Sequence, residues 1–261
     1  MEQHDKRINY SLDKALSLLE YFTAEHPVRG LSEIARISSI PKATVYRLFN
    51  TFEKNGYLKK INIDGKQNQY TLGMKFLTLG TIVSESIEVK AIAVSYMKKL
   101  CNELNEDVQL VMRDSNQAIY VEKFICTHPV RLFTKTGRRA SLNAGACPRA
   151  ILSFLKDEEI EDIVTNEQLI KYTESTVVEK EKIWDMILES RKKGYTVSFG
   201  EMEPQTAAVG APIFDYTGNV VASLSTAGPE QRFDVTRLPE IIEKTVKTAK
   251  EISKALGYIE K

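Results

Sequence analysis

The chain has 261 residues, 43% apolar and 27% charged, with a formal net charge of +1. That is the balance of an ordinary soluble protein, long enough for two domains that each bury a core without metal or disulfide support. No stretch approaches the roughly eighteen uninterrupted apolar residues of a membrane helix, and the opening MEQHDKRINY lacks the apolar run of a secretory signal, so no membrane association and a cytoplasmic location are expected.

The first element is an amphipathic helix from Ser11 to Glu25, its stripe made by Leu12, Ala15, Leu16, Leu18, Leu19 and Phe22, ended by His26-Pro27. A brief second helix follows, with Ser32 as its expected N-cap, Ile34, Ala35 and Ile37 on its buried side and Ser38-Ser39 as its turn. Pro41 suits the first turn of a third helix, which buries Val45, Leu48, Phe49 and Phe52 and closes at Asn55-Gly56. Tyr57 to Ile61 and Gln69 to Leu72 read as strands around Asp64-Gly65, a hairpin that forms a wing. From Gly73 to Leu104 the pattern is helical, with a break expected near Gly80 or Ser84 to Ser86.

Past Val108 the period changes to two. VQLVMRD, QAIYVEKFIC and VRLFT are expected strands; helices are expected at Pro148 to Leu155, Asp157 to Val164 and Glu179 to Lys193. The strands YTVSF, AAVGAPIF and VVASLSTA then precede a closing helix from Val235 to Leu256. Strands on both sides of a helical block imply an α+β domain with a mostly antiparallel sheet. Three helices and a hairpin before it make a winged helix-turn-helix, so the expected organisation is 8–72 for that unit, 73–86 for a linker helix and 87–258 for the α+β domain.

Two short helices, a tight turn and a wing form an apparatus for laying one helix in the major groove of double-stranded DNA. The first turn and outer face of the third helix offer Lys42, Ala43, Thr44, Tyr46, Arg47 and Asn50, which include a forked donor for guanine and an amide for adenine. Lys59, Lys60 and Lys66 lie on or beside the wing, where they would neutralise phosphates. Positions 1–72 hold about three more basic than acidic side chains, a weak excess for a nucleic-acid binder, so the reading rests on the order of elements rather than on charge.

Other chemistry is poorly represented. Cys101, Cys126 and Cys147 are odd in number and far apart, and His4, His26 and His128 fall in no ligand spacing, so no disulfide, metal or cofactor is expected. Cys147 has no histidine nearby in sequence to activate it. Glu201 and Glu203 read as solvated acids before Pro204, and no catalytic group is expected. The segment Ser141 to Arg149 joins a strand to a helix, so its free N–H groups and the helix dipole would receive a carboxylate.

From Tyr10 to about Gly257 the chain resembles the IclR family of bacterial transcription regulators. The resemblance is carried by SLDKALSLLEYF, LSEIARISSIPKATVYRLFNTFEKNGYL and YTLGMKFLTLG, then by YVEKF, TGRRASLNAGACPRAILSFL, RKKGYTVS, APIFDYTGNVVASLSTAGP and EISKALG. It implies a winged-helix domain, a linker helix that pairs subunits, here around Phe76, Leu77 and Leu79, and a GAF-like effector-binding domain. Dimers or tetramers on palindromic operators would follow. The effector cup it implies would use Asn143, Gly145, Ala146, Cys147, Ser198, Ala208 and Ser225. Several positions depart from the family pattern: Ser198 stands where many members have an acid, Ala208 where many have Cys, Ala227 where many have Ser, Asn143 for a frequent His, and Pro148-Arg149 for Gly-Lys. A cup with fewer polar groups favours an apolar or aromatic carboxylate, because a ligand hydroxyl would be buried without a partner. The competing expectation is a constitutive DNA-binding regulator whose second domain only oligomerises.

Overall fold

The computed structural model describes residues 9–63, 66–85, 87–132, 134–166 and 169–259, without the side chains of Ile63, Lys66, Gln67, Ser84 and Glu85. The chain divides into two compact units, Met1–Ser86 and Ile87–Lys261.

In the first unit α1 (Tyr10–Ser17), α2 (Leu31–Ile37) and α3 (Lys42–Lys54) accompany an antiparallel sheet of order β1-β3-β2, formed by β1 (Val28–Gly30), β2 (Leu58–Ile63) and β3 (Lys66–Leu72). Its core is Leu18, Ile34, Val45, Phe49 and Tyr70, with the Phe49 and Tyr70 rings edge to face at 4.9 Å. The three-residue strand β1, which pairs Val28 to Gly30 with Thr71 to Gln69, was not expected from the sequence. The hairpin turn expected at Asp64-Gly65 lies outside the described residues.

Helix boundaries differ from the sequence reading in informative ways. The first helix tightens into a 3-10 turn at Leu19–Tyr21 and ends there, because Phe22 turns extended to lead towards β1. Leu12 and Leu16 of the expected stripe are exposed. The cap of α2 is Gly30 rather than Ser32; the Glu33 carboxylate reaches back to accept the Gly30 N–H at 3.3 Å. Pro41 is itself the N-cap of α3, and Gly56 (φ +78°) closes that helix in the left-handed conformation. Helix α4 (Met74–Glu85) runs unbroken through Gly80. Phe76 packs on the wing, its ring 5.4 Å from that of Tyr57, while Leu77, Leu79 and Ile82 are exposed.

The second unit is a six-stranded sheet of order β6-β5-β4-β9-β8-β7 in which every neighbouring pair is antiparallel. Its strands are β4 (Asp107–Asp114), β5 (Gln117–Phe124), β6 (Arg139–Ser141), β7 (Thr196–Phe199), β8 (Thr206–Phe214) and β9 (Val220–Pro229). One face meets α5 (Glu88–Leu104) and α9 (Leu238–Ala255) through alternate residues such as Ala207, Val209, Ala211 and Ile213. The other carries α6 (Ala146–Ser153), α7 (Asp157–Asn166) and α8 (Lys180–Lys193) over Val111, Ala118 and Tyr120.

The strand expected at VRLFT is not found among the described residues, and Phe133 lies outside them. The edge of β5 is already taken: β6 pairs with it, the Gly137 N–H donates to the Tyr120 carbonyl at 2.7 Å, and the Tyr120 N–H donates to the Arg138 carbonyl at 3.0 Å. Residues 130–132 and 134 are held instead by side chains, Lys123 Nζ donating to the Leu132 carbonyl at 2.8 Å and Gln109 to Thr134 Oγ1 at 3.1 Å. Helix α9 starts three residues later than expected because Asp234 accepts the N–H groups of Thr236 and Arg237 in a local turn.

Candidate functional site

The sharp corner between α2 and α3 is built by Ser38 and Ser39. Ser38 Oγ donates to the Ile34 carbonyl and accepts the Ile40 N–H, while Ser39 takes a positive φ of 57°. With Val45 and Phe49 fully buried, helical periodicity turns Lys42, Ala43, Tyr46, Arg47 and Asn50 to solvent, with Thr44 half-buried. This face is polar, projecting and not consumed by the fold. Lys59 and Lys60 are both exposed on β2, but strand alternation sends them from opposite faces of the wing sheet, a point that linear sequence hides. The Lys66 side chain lies outside the described residues.

In the second unit α6 crosses β8 at very close range. A Cβ on Gly210 would lie 2.5 Å from the Ala146 carbonyl oxygen, so only glycine permits the approach. Gly145, with φ +83°, is the N-cap, and α6 begins two residues earlier than expected, with all eight of its residues buried. Between its first turn, the sheet and the β7–β8 turn lies a cavity of ≈ 50 Å³. Gly145, Ala146, Cys147, Ser198, Ala208 and Ser225 come together on its wall. Asn143 does not: it is buried, bonding to the Ser141 hydroxyl and donating to the Val177 carbonyl at 2.9 Å, where it ties two loops together.

The first turn of α6 is less free than the sequence implies. Glu201, read as a solvated acid, is buried; it accepts the Gly145 N–H at 2.9 Å and pairs with the equally buried Arg149. The protein's own carboxylate thus takes one of the N–H groups expected to meet a ligand. Burial pushes the Cys147 thiol up to about 11, and its sulfur lies 3.0 Å from Ser223 Oγ, the surroundings of an inert core thiol rather than a nucleophile.

Sequence reasoning missed the rest of the wall. Gln109 and Tyr120 come from the sheet, Leu132, Thr134 and Arg138 from the irregular segment before β6, Met202 and Glu203 from the β7–β8 turn, and Thr206 from the start of β8. Arg138 donates to Glu203 at 2.8 Å, and the Tyr120 hydroxyl lies 3.6 Å from the Met202 sulfur. An inward polar Gln109 amid the apolar DVQLVM strand was the one local signal available. Among the described residues no group of three or more His, Cys, Asp or Glu is placed to hold a metal, and no helix is long and apolar enough to cross a membrane.

A helix-turn-helix with an exposed polar face, on one chain with an α+β unit that encloses a small cavity, is the architecture of a DNA-binding transcription regulator with a C-terminal effector domain. Family comparison agrees: residues 11–61 match the IclR helix-turn-helix domain and residues 81–254 the bacterial transcriptional regulator IclR C-terminal domain. The chain belongs to the IclR family. It is 42% identical over 250 residues to the HTH-type transcriptional regulator KipR of Bacillus subtilis, covering 96% of this chain and 98% of that one. In fold it is similar to the IclR of Thermotoga maritima (TM-score 0.77, 24% identity, 95% and 99% of the two chains covered). It is similar also to an IclR homologue of Microbacterium hydrocarbonoxydans solved with 4-hydroxybenzoate (TM-score 0.80, 22% identity, 94% and 98% covered).

Proposed function

We propose that this regulator binds a palindromic operator as a dimer or tetramer and that a small carboxylate, apolar or aromatic in character, modulates its occupancy from the cavity in the second unit. Residues 8–72 act as the reading domain, 73–86 as the pairing helix and 87–258 as the GAF-like effector domain, in a cytoplasmic protein. Lys42, Ala43, Thr44, Tyr46, Arg47 and Asn50 meet the bases and nearby phosphates, and Lys59 and Lys66 meet the flanking backbone, with Lys60, on the opposite face of β2, acting at longer range. The observation that carries the DNA reading is the split face of α3, with Val45 and Phe49 wholly buried and Tyr46, Arg47 and Asn50 exposed. Exposed Leu12, Leu16, Leu77, Leu79 and Ile82 support pairing of subunits, because apolar surface of this kind is best covered. Pairing doubles the contacts a single recognition helix makes.

In the second unit Gly145, Ala146, Cys147, Ser198, Ala208 and Ser225 surround the effector, and the Ala146 and Cys147 N–H groups at the start of α6 face its carboxylate. Asn143 acts on that loop from behind. A relative of the same fold holds 4-hydroxybenzoate, which makes that compound a reasonable first probe.

A second reading, a constitutive regulator whose α+β unit only oligomerises, has one observation in its favour. The cavity of ≈ 50 Å³ is far below the roughly 300 Å³ of ordinary ligand sites, so an effector must part its walls. Fluorescence anisotropy on DNA from the gene's own upstream region, at two salt concentrations and with a panel of carboxylates, separates the two. A shift of about tenfold with one carboxylate, about 1.4 kcal/mol of coupling, supports the sensor; selective binding that no compound moves favours the constitutive protein.

A further inference from the structure

The cavity wall carries one cation and one anion among its described residues, Arg138 and Glu203, and they are paired with each other. We propose that Arg138 selects anionic effectors, exchanging its ion pair with Glu203 for a salt bridge to the ligand's carboxylate. The inference rests on reading this cavity as the effector site and names the group that sets its charge preference.

The pair is partly open to solvent, the two side chains 29% and 43% exposed, and ion pairs this exposed are weak enough to exchange cheaply. Two neighbouring cations are committed more deeply. Arg149 is held by Glu201 and the Val197 carbonyl, and Lys123 by Asp107 and the Leu132 carbonyl. The remaining polar wall groups, including Gln109, Ser198 and Ser225, are neutral: they orient a ligand but do not neutralise it. A carboxylate drawn into such a cup without a cation would bear the full cost of desolvation, and a planar guanidinium offers it two parallel hydrogen bonds.

The backbone is arranged so that side chains alone need move. The Arg138 carbonyl is fixed by the Tyr120 N–H at 3.0 Å, and the Glu203 carbonyl by Thr206 Oγ1 at 2.7 Å. Glu203 therefore competes with the ligand for Arg138 and, once displaced, turns its carboxylate to water. Removing the acid and removing the base must then have opposite effects on affinity, which a merely structural salt bridge would not produce.

The test is isothermal titration of the full chain, R138Q and E203Q with small monocarboxylates, including 4-hydroxybenzoate, and their primary amides, after thermal unfolding has shown both variants folded. At least one acid is expected to bind wild type, its amide about tenfold or more weakly; R138Q should bind acid and amide alike, and E203Q should bind the acid about threefold or more tightly. An unchanged preference for the acid in R138Q overturns the role of Arg138 while leaving the effector reading intact. Weaker binding of the acid in E203Q also overturns the exchange, since it would mean that Glu203 supports the bound state by holding Arg138 in place rather than competing with the ligand. If wild type binds no acid, or only amides, the carboxylate reading falls and this inference with it.

Discussion

Arg149 and Glu201 form an ion pair in the interior of the second unit, their side chains only 3% and 8% exposed, and the same carboxylate takes the Gly145 N–H. One interaction thus fastens α6 to the β7–β8 turn, and both elements contribute to the cavity wall. Removing one partner of a buried pair leaves an uncompensated charge and typically costs about 3–5 kcal/mol, more than the pair contributes over apolar replacements. Glu201→Ala should therefore destabilise this unit by about that much in urea unfolding. The double change Glu201→Leu with Arg149→Met should recover most of the loss. A double variant no more stable than Glu201→Ala would refute this account of the pair.

Alkaline stability should report the buried thiols. Burial raises Cys147 from 9.0 to about 11, and does the same for Cys101. Between those values the unfolded chain has released these protons and the folded chain retains them. Stability is therefore fully present below pH 9 and falls as pH rises towards 11, by about 2–3 kcal/mol per thiol. Cys147→Ala should remove its share of that slope while leaving the acid side unchanged. Native Cys147 should also resist iodoacetamide at neutral pH and react only on unfolding; rapid native labelling would contradict its burial.

Gly210 offers a steric test of the cavity. Its missing Cβ lets the first turn of α6 touch β8, where an added methyl would meet the Ala146 carbonyl oxygen at 2.5 Å and Thr196 Oγ1 at 2.8 Å. Gly210→Ala should cost about 1–3 kcal/mol through overpacking. It should weaken effector binding as well, because relief of the clash moves Ala146 and Cys147. Unaltered melting would show that α6 has slack there.

The parts of the molecule legible in sequence are those governed by local chemistry. Val45 and Phe49 announce the buried side of α3 by helical spacing, and Gly56 marks its end because it accepts positive φ. The three residues of β1 are too few for any alternation to register, and Leu12 and Leu16 extend an apolar stripe that this chain leaves exposed. Cavity residues such as Ser198, Ala208 and Ser225 came from the family resemblance, whereas Arg138 and Met202 sit in irregular segments with no period to betray which way they face. Glu201 was misread for a related reason: its partner lies 52 positions away, so its burial is a tertiary fact.

The exposed face of α3 should separate affinity from specificity. Arg47 is the forked donor on that face, so Arg47→Ala should cost about 1–3 kcal/mol on the operator and much less on unrelated duplex, relaxing the preferred sequence at one position. Lys59 is an exposed point charge on the wing, and Lys59→Ala should weaken all sequences alike and flatten the salt dependence by about one unit of slope. Lys60, on the opposite face of the same strand, should not duplicate Lys59, because a duplex lying against one face of the wing meets only one of them at close range. Anisotropy titrations at several salt concentrations on operator and scrambled DNA measure all three. Equal slopes for Lys59→Ala, Lys60→Ala and wild type would remove both β2 lysines from the interface.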